Sequence, residues 1–228
     1  MAGRKNRIKV TDLKGNKPWL KTKARSRVAV VVRSKRTFLI LCEGQTEADY
    51  FLAFSNERVA VTAHDLGCAG MSLVDCALQY RNNGTFDEVW CVYDLDYNAS
   101  EGGEQYQRFQ ESLDYAATND VSVSYSIDAF ELWFRLHYEA VTGSIHRQQL
   151  YDDLSRRWDM NYVTEGKRRR FTRSIKQRLD EDLAADVRLA IERAERLYEE
   201  RKDLPLRERN PITTVHLLVS SLLKASGE

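Results

Sequence analysis

The sequence predicts an α/β fold: a mostly parallel sheet flanked by helices, followed by a helical C-terminal part. Three observations predict it. Apolar runs at Thr37–Cys42 and Glu88–Tyr93 are nearly continuous, as in strands buried on both faces of a parallel sheet. Each is followed by a turn and then by apolar residues at helical spacing. Beyond Asp128 strand-like runs cease and helical periodicity dominates.

The elements follow in order. Residues 1–26 are polar, basic and without periodicity, and are expected to be mobile. Val28–Val32 reads as a short β segment. The first core strand, Thr37–Cys42, stops at Glu43-Gly44, and Ala48, Phe51 and Leu52 then mark a helix. Val59–Leu66 is a weaker strand. Ser72 is the expected cap of a helix running to about Arg81, closed by a left-handed stop at Asn82-Asn83-Gly84. Glu88–Tyr93 is the third strand, and a helix is expected over about 103–117. Val121–Ile127 alternates in polarity and reads as a more exposed strand. FELWFRLHY, residues 130–138, is a helix with a heavily apolar face. Residues 145–158, 171–201 and 212–224 are helical in period, with Pro211 expected in the first turn of the last helix. The expected organisation is a basic arm at 1–36, an α/β core at 37–140, and a helical extension at 141–228 packed on that core.

Composition narrows the classes. Charged residues make up 30% of the 228 and hydrophobic residues 43%, so most of the chain is expected to fold. No run of about 18 apolar residues occurs, so a membrane span is not expected. The basic N-terminus lacks the apolar stretch of a secretory signal. Cys42, Cys68, Cys76 and Cys91 lack C-x-x-C spacing and read as free thiols of a reducing cytoplasm. The net charge of +1 conceals an asymmetry. Residues 1–36 carry thirteen Lys and Arg against one acid, while the remainder is net −11. Such an arm contacts nucleic-acid phosphates, serves as a solubilising tail, or lies on the protein's own acidic body.

Three acids fall where ligands bind in an open α/β sheet, beyond the carboxyl ends of strands. Glu43 follows the first strand, and Asp94 and Asp96 follow the third. Strand residues two apart point the same way, so Asp94 and Asp96 can face one pocket. Clustered carboxylates repel, and a hard divalent cation relieves this, which suits magnesium or manganese. Glu47 lies one helical turn beyond Glu43 and is a candidate for a second metal or for holding water. Each motif alone also has a bland reading as a turn or as a helix-start acid.

Glu43 in ILCEGQTE together with Asp94 and Asp96 in VWCVYDLD resembles the Toprim domain. That domain is shared by topoisomerases, primases, OLD-family nucleases and small ribonucleases. The set ILCEGQTEADYF, EVWCVYDLD, FELWFRLHY and NPITTVHLLV, in this order, resembles the RloB-like family. The resemblance spans about residues 38–220. It implies a Toprim-like fold in which Glu43, Asp94 and Asp96 bind Mg2+ or Mn2+. It also implies a setting in bacterial anti-phage or abortive-infection loci, beside an RloA- or OLD-like ATPase. Glu131 then either approaches the acid cluster or is a helix-start acid placed by the dipole. His137, Asn210 and His216 are candidate nucleic-acid contacts, against packed histidines and a helix cap as the plainer readings. Residues 167–178, KRRRFTRSIKQR, carry seven basic side chains. Lys167, Arg168, Arg169, Arg170 and Lys176 are candidate backbone contacts, with Lys176 a candidate transition-state cation.

The leading expectation is a metal-dependent nuclease that cleaves DNA or RNA, tRNA included, with Glu43, Glu47, Asp94, Asp96 and Glu131 as its catalytic set. The alternative is a non-catalytic regulatory or nucleic-acid-binding subunit of a defence ATPase complex. A weaker third is nucleotidyl transfer. The chain lacks G-x-x-x-x-G-K-[ST], so an NTP-driven step belongs to a partner. The sequence leaves homo-oligomerisation open.

Overall fold

A computed structural model of the chain describes residues 34–96 and 103–228. Expectations placed on residues 1–33, including the mobile arm and the Val28–Val32 β segment, lie outside the described residues. Ser34–Glu228 forms one compact unit.

The frame is a five-stranded sheet in the order β2-β1-β3-β4-β5. β1 is Arg36–Cys42, β2 Val59–Asp65, β3 Glu88–Asp94, β4 Ser122–Ile127 and β5 Ile212–Thr213. β1 runs parallel to β2 and β3, β3 runs parallel to β4, and β5 alone is antiparallel, to β4. Successive side chains of a strand point to opposite faces, and here both faces are covered. Phe38, Ile40 and Cys42 enter one core, while Leu39 and Leu41 enter the other; all five have no exposed surface. β3 repeats the division, with Trp90 and Val92 on the first side and Val89, Cys91 and Tyr93 on the second.

Helices α1 (Gln45–Leu52), α2 (Gly70–Asn82) and α3 (Glu104–Thr118) connect the parallel strands. Ala48, Tyr50 and Phe51 of α1 join the first core, whereas Leu73, Val74 and Ala77 of α2 and Phe109 and Ala116 of α3 fill the second. The chain leaves β1 outward to β2 and then crosses back through α2 to β3 on the other side. The strand order therefore reverses between β1 and β3, which opens a crevice at their carboxyl ends.

The C-terminal region is helical: α4 (Glu131–Leu136), α5 (Arg147–Arg157), α6 (Arg169–Thr172), α7 (Ile175–Glu181), α8 (Val187–Arg201) and α9 (Val215–Ser226). α4 is six residues long and buries all of them except Arg135. Its Trp133 indole donates to the Tyr50 hydroxyl at 2.8 Å, joining α4 to α1 inside the first core.

Several local expectations are corrected. β4 is not exposed: its last four residues are buried. β5 covers its outer edge, and the Ser126 and Thr213 hydroxyls bond each other at 3.0 Å, so a small polar side chain is buried with a partner. Ser72 is not the cap of α2. Ala69 is extended and Gly70 turns with φ +59°, a conformation that favours glycine, so the helix begins before Ser72. Its end is not left-handed either. Asn83 stays right-handed, and its side chain donates to the Gln79 carbonyl at 3.0 Å, satisfying the last turn directly. The 171–201 run is divided. Asp182 accepts the Ala184 N–H at 2.9 Å, and Asp186 caps α8 by accepting from Arg188 and Leu189 at 2.7 and 3.0 Å. Pro211 precedes β5 and lies outside α9. Cys42 and Cys91 are buried, whereas Cys68 and Cys76 are half-buried, and all four are free thiols.

Candidate functional site

The carboxyl ends of β1 and β3 bring distant acids together. The Glu43 N–H continues the β1–β3 ladder to the Val92 carbonyl at 2.9 Å. Its side chain turns to the same neighbour strand, where Oε2 accepts the Asp94 backbone N–H at 3.3 Å. Asp94 ends β3, and its Oδ2 accepts the Phe130 N–H at 2.7 Å, just before α4. Asp96, two residues on, is exposed and ion-paired with Arg147 at the start of α5.

Glu47 stands in the first turn of α1. Its Oε2 is shut off from solvent and has no hydrogen-bond partner. A Cβ at Gly44 would lie 2.8 Å from that oxygen, so any side chain at position 44 would press on Glu47. Glu131 opens α4 and is 2% exposed; it accepts the Tyr162 hydroxyl at 2.8 Å and pairs with Lys167. These five acids line one cleft of about 280 Å³, together with Arg147, Tyr151 and Lys167.

Crowding shows in the electrostatics. Burial, then the neighbouring Glu131, pushes the Glu47 carboxyl up to about 7 from an ordinary 4.5. Burial, then Glu47 and Glu131, raises Asp94 well above the carboxylate range. Burial raises Glu43 as well, opposed by the Asp94 N–H. Burial opposes the charge on Lys167, but the Glu131 carboxylate more than offsets it and raises the ammonium.

An unpaired buried carboxylate oxygen on Glu47 amid oxygen-only donors fits a hard divalent cation in chemistry. Among the described residues, however, no three His, Cys, Asp or Glu side chains stand as a group able to hold a metal ion. Asp94 is held by the Phe130 N–H, Asp96 by Arg147, and Glu131 by Lys167 and Tyr162.

The other expected residues separate into two groups. Lys167 is in the cleft, and Arg168, Arg169 and Arg170 follow it as exposed side chains. Arg169 lies 3.9 Å from both Asp49 and Asp65. Lys176 does not line the cleft. It pairs with Asp180 at 2.6 Å and lies 4.7 Å over the Phe54 ring, so Arg147 and Lys167 are the cations beside the acids. His137 and His216 are each 3% exposed, with Nδ1 at 3.0 Å from the Trp133 carbonyl and 3.2 Å from the Thr213 carbonyl. Burial lowers both, His137 to about 4, and neither ring presents a surface to a phosphate. Asn210 caps no helix. Its side chain accepts the Ile145 N–H and donates to the Ile145 carbonyl, both at 2.9 Å, fastening the loop before α5.

Arg147 and Tyr151 escaped sequence reasoning. Their four-residue spacing puts them on one face of α5, but that spacing is common and only the fold turns this face to the acids.

A mostly parallel sheet flanked by helices, with acids beyond β1 and β3 and a helical C-terminal region, defines a protein with a Toprim-like fold. The family model for RloB-like protein matches residues 38–222, and the chain belongs to the RloB-like family. No curated protein and no solved structure matches it. Among the described residues, no helix is long and apolar enough to cross a membrane.

Proposed function

We propose that this chain is a metal-dependent nuclease that hydrolyses phosphodiester bonds of DNA or RNA. In this reading it is a cytoplasmic effector of anti-phage defence working with an RloA- or OLD-like ATPase. The observation that carries the reading is the convergence of Glu43, Glu47, Asp94, Asp96 and Glu131 on one cleft with two cations. Membership of the RloB-like family supports it.

Glu43, Asp94 and Asp96 would hold Mg2+ or Mn2+. When bound, such an ion supplies Lewis-acid polarisation of a phosphoryl oxygen and lowers the pKa of a water. The protein's own groups do the rest. Glu47, with a buried carboxylate oxygen that has no partner in the cleft, is placed to accept a proton from an attacking water. Glu131, fixed by Tyr162 and Lys167, orients it. Arg147 and Lys167 are placed to face phosphate oxygens once released from their acids. Arg168, Arg169 and Arg170 extend a positive strip from the cleft for the nucleic-acid backbone.

The test is cleavage of labelled DNA, bulk RNA and tRNA by the pure chain, with and without its partner ATPase, in Mg2+, Mn2+ or EDTA. Asp94→Asn abolishes metal-dependent cleavage with the fold intact; cleavage at the parental rate in that variant refutes the reading. The two ion pairs within the cleft favour one alternative, a regulatory subunit whose acids are structural. It predicts no cleavage under any condition and full biological effect from Asp94→Asn.

A further inference from the structure

Behind the acids lies a second, larger cavity of about 780 Å³, between the start of α2, the end of β3 and α3. Glu43, Asp94, Asp96 and Arg147 belong to its wall and to the wall of the acid cleft alike, so these four side chains form the partition between the two spaces. Its far side is mixed. Met71, Leu95 and Phe109 are apolar, and Ser72, Gln105 and Glu111 provide hydrogen-bonding groups.

We infer that this cavity receives one unpaired nucleobase, with its sugar, from the strand whose phosphate lies at the acid partition. The inference rests on the nuclease reading and deepens it by naming the substrate class as single-stranded or locally unpaired nucleic acid.

Three features choose this occupant. The volume lies within the range of small-molecule pockets, about 300–1,000 Å³, so a nucleoside enters whole. Four acids, Glu43, Asp94, Asp96 and Glu111, meet two arginines, Arg108 and Arg147, in the lining, so a second phosphate finds no excess of positive charge there and a neutral heterocycle needs none. Apolar side chains beside polar ones match a flat ring that is greasy on its faces and hydrogen-bonding at its edge. A base held in a duplex cannot reach such a space without leaving its stack, which costs a few kcal/mol. Unpaired strands avoid that cost and are favoured. Because the two spaces share a wall, a phosphate on one side and its own base on the other need no long connection.

The experiment is zero-length photocrosslinking of the full chain in EDTA, so no cleavage is needed for its readout. The probes are single-stranded RNA carrying 4-thiouridine and single-stranded DNA carrying 4-thiothymidine, alongside the same strands in full duplex and the free thionucleotide. The expected result is a crosslink from single strands to the segments 69–72 or 105–111, and little from duplexes or from the free thionucleotide. Ser72→Trp, a change at an exposed wall position, is expected to remove the crosslink and weaken single-strand binding about tenfold, the scale of one lost base stack. Met71→Trp, at a residue 47% exposed, supplies an independent filling variant should the first fail to fold. Crosslinks confined to other segments overturn the inference. So does unchanged single-strand affinity in a folded filling variant, or a free thionucleotide that labels these segments as well as a strand does. An absence of hydrolysis with the crosslink intact removes the nuclease reading and leaves the base-binding cavity standing.

Discussion

The Glu43 carboxylate accepts the backbone N–H of Asp94 across 3.3 Å, joining two strand ends that lie fifty-one positions apart in the chain. One acid thereby holds the backbone of another at the point where the strand order reverses. Around this link the neighbouring carboxylates meet two cations, and each meeting has a measurable consequence.

The pair Glu131–Lys167 is nearly dry on the acid side, where the side chain is 3% exposed, and open on the lysine side at 40%. Removing Lys167 leaves Glu131 with the Tyr162 hydroxyl but without a counter-charge. Lys167→Met is expected to lower stability by about 1–2 kcal/mol, below the 3–5 kcal/mol of fully buried pairs. Adding Glu131→Gln is expected to recover part of the loss, and a double-mutant cycle in urea measures this coupling. A coupling of zero means that the pair does not stabilise the fold.

Stability in EDTA is expected to fall as pH rises from about 4.5 to 7. Glu47 has its folded pKa raised to about 7, so the folded state retains a proton that the unfolded chain has already released. The contribution is therefore complete below the unfolded value and lost by the folded one. The raised Asp94 and Glu43 act in the same direction. Glu47→Gln is expected to flatten the slope and to stabilise the protein at pH 8 by on the order of 2 kcal/mol. Equilibrium unfolding across this window reads it directly, and a parental slope in Glu47→Gln contradicts it.

Arg147 is ion-paired with Asp96, so in the proposed reading it competes with a divalent cation for that carboxylate. Arg147→Met is expected to tighten Mn2+ binding about fivefold, the effect of roughly 1 kcal/mol from one exposed charge nearby. The same change is expected to weaken nucleic-acid binding, because the cation facing phosphate is gone. Calorimetric titration of Mn2+ without nucleic acid isolates the first effect; weaker Mn2+ binding in the variant counts against a shared site.

In the first core, Trp133→Phe removes the donor to the Tyr50 hydroxyl and leaves that oxygen without its 2.8 Å partner. A loss of about 1–3 kcal/mol is expected. Changing both residues to Phe is expected to cost less than the sum of the single changes, since neither polar group is then stranded. Additive losses in chemical denaturation exclude a coupled pair.

How much was readable varied with how local its cause is. β1 and β3 stood out because burial on both faces leaves an uninterrupted apolar record, and Glu43 and Asp94 were read from their places after those runs. β4 was misjudged because Ser126 is buried through a hydroxyl pair with Thr213, eighty-seven positions away, and Ser124 is buried without a side-chain partner among the described residues. The division of the 171–201 run follows from Asp186 as a cap, a signal present in the sequence but masked by continuous helical period. Arg147 reaches Asp96 only through the placing of α5, and no short window contains that information.

The two-sided division of β1 carries a constraint on change. Phe38, Ile40 and Cys42 serve one core, Leu39 and Leu41 the other, and Glu43 comes next in the same alternation. Inserting or deleting a single residue within this strand would exchange the two sets and rotate Glu43 away from Asp94. A change of length is therefore expected to be tolerated in the loops and not within β1, and the spacing from Phe38 to Glu43 acts as a reading frame for the whole centre.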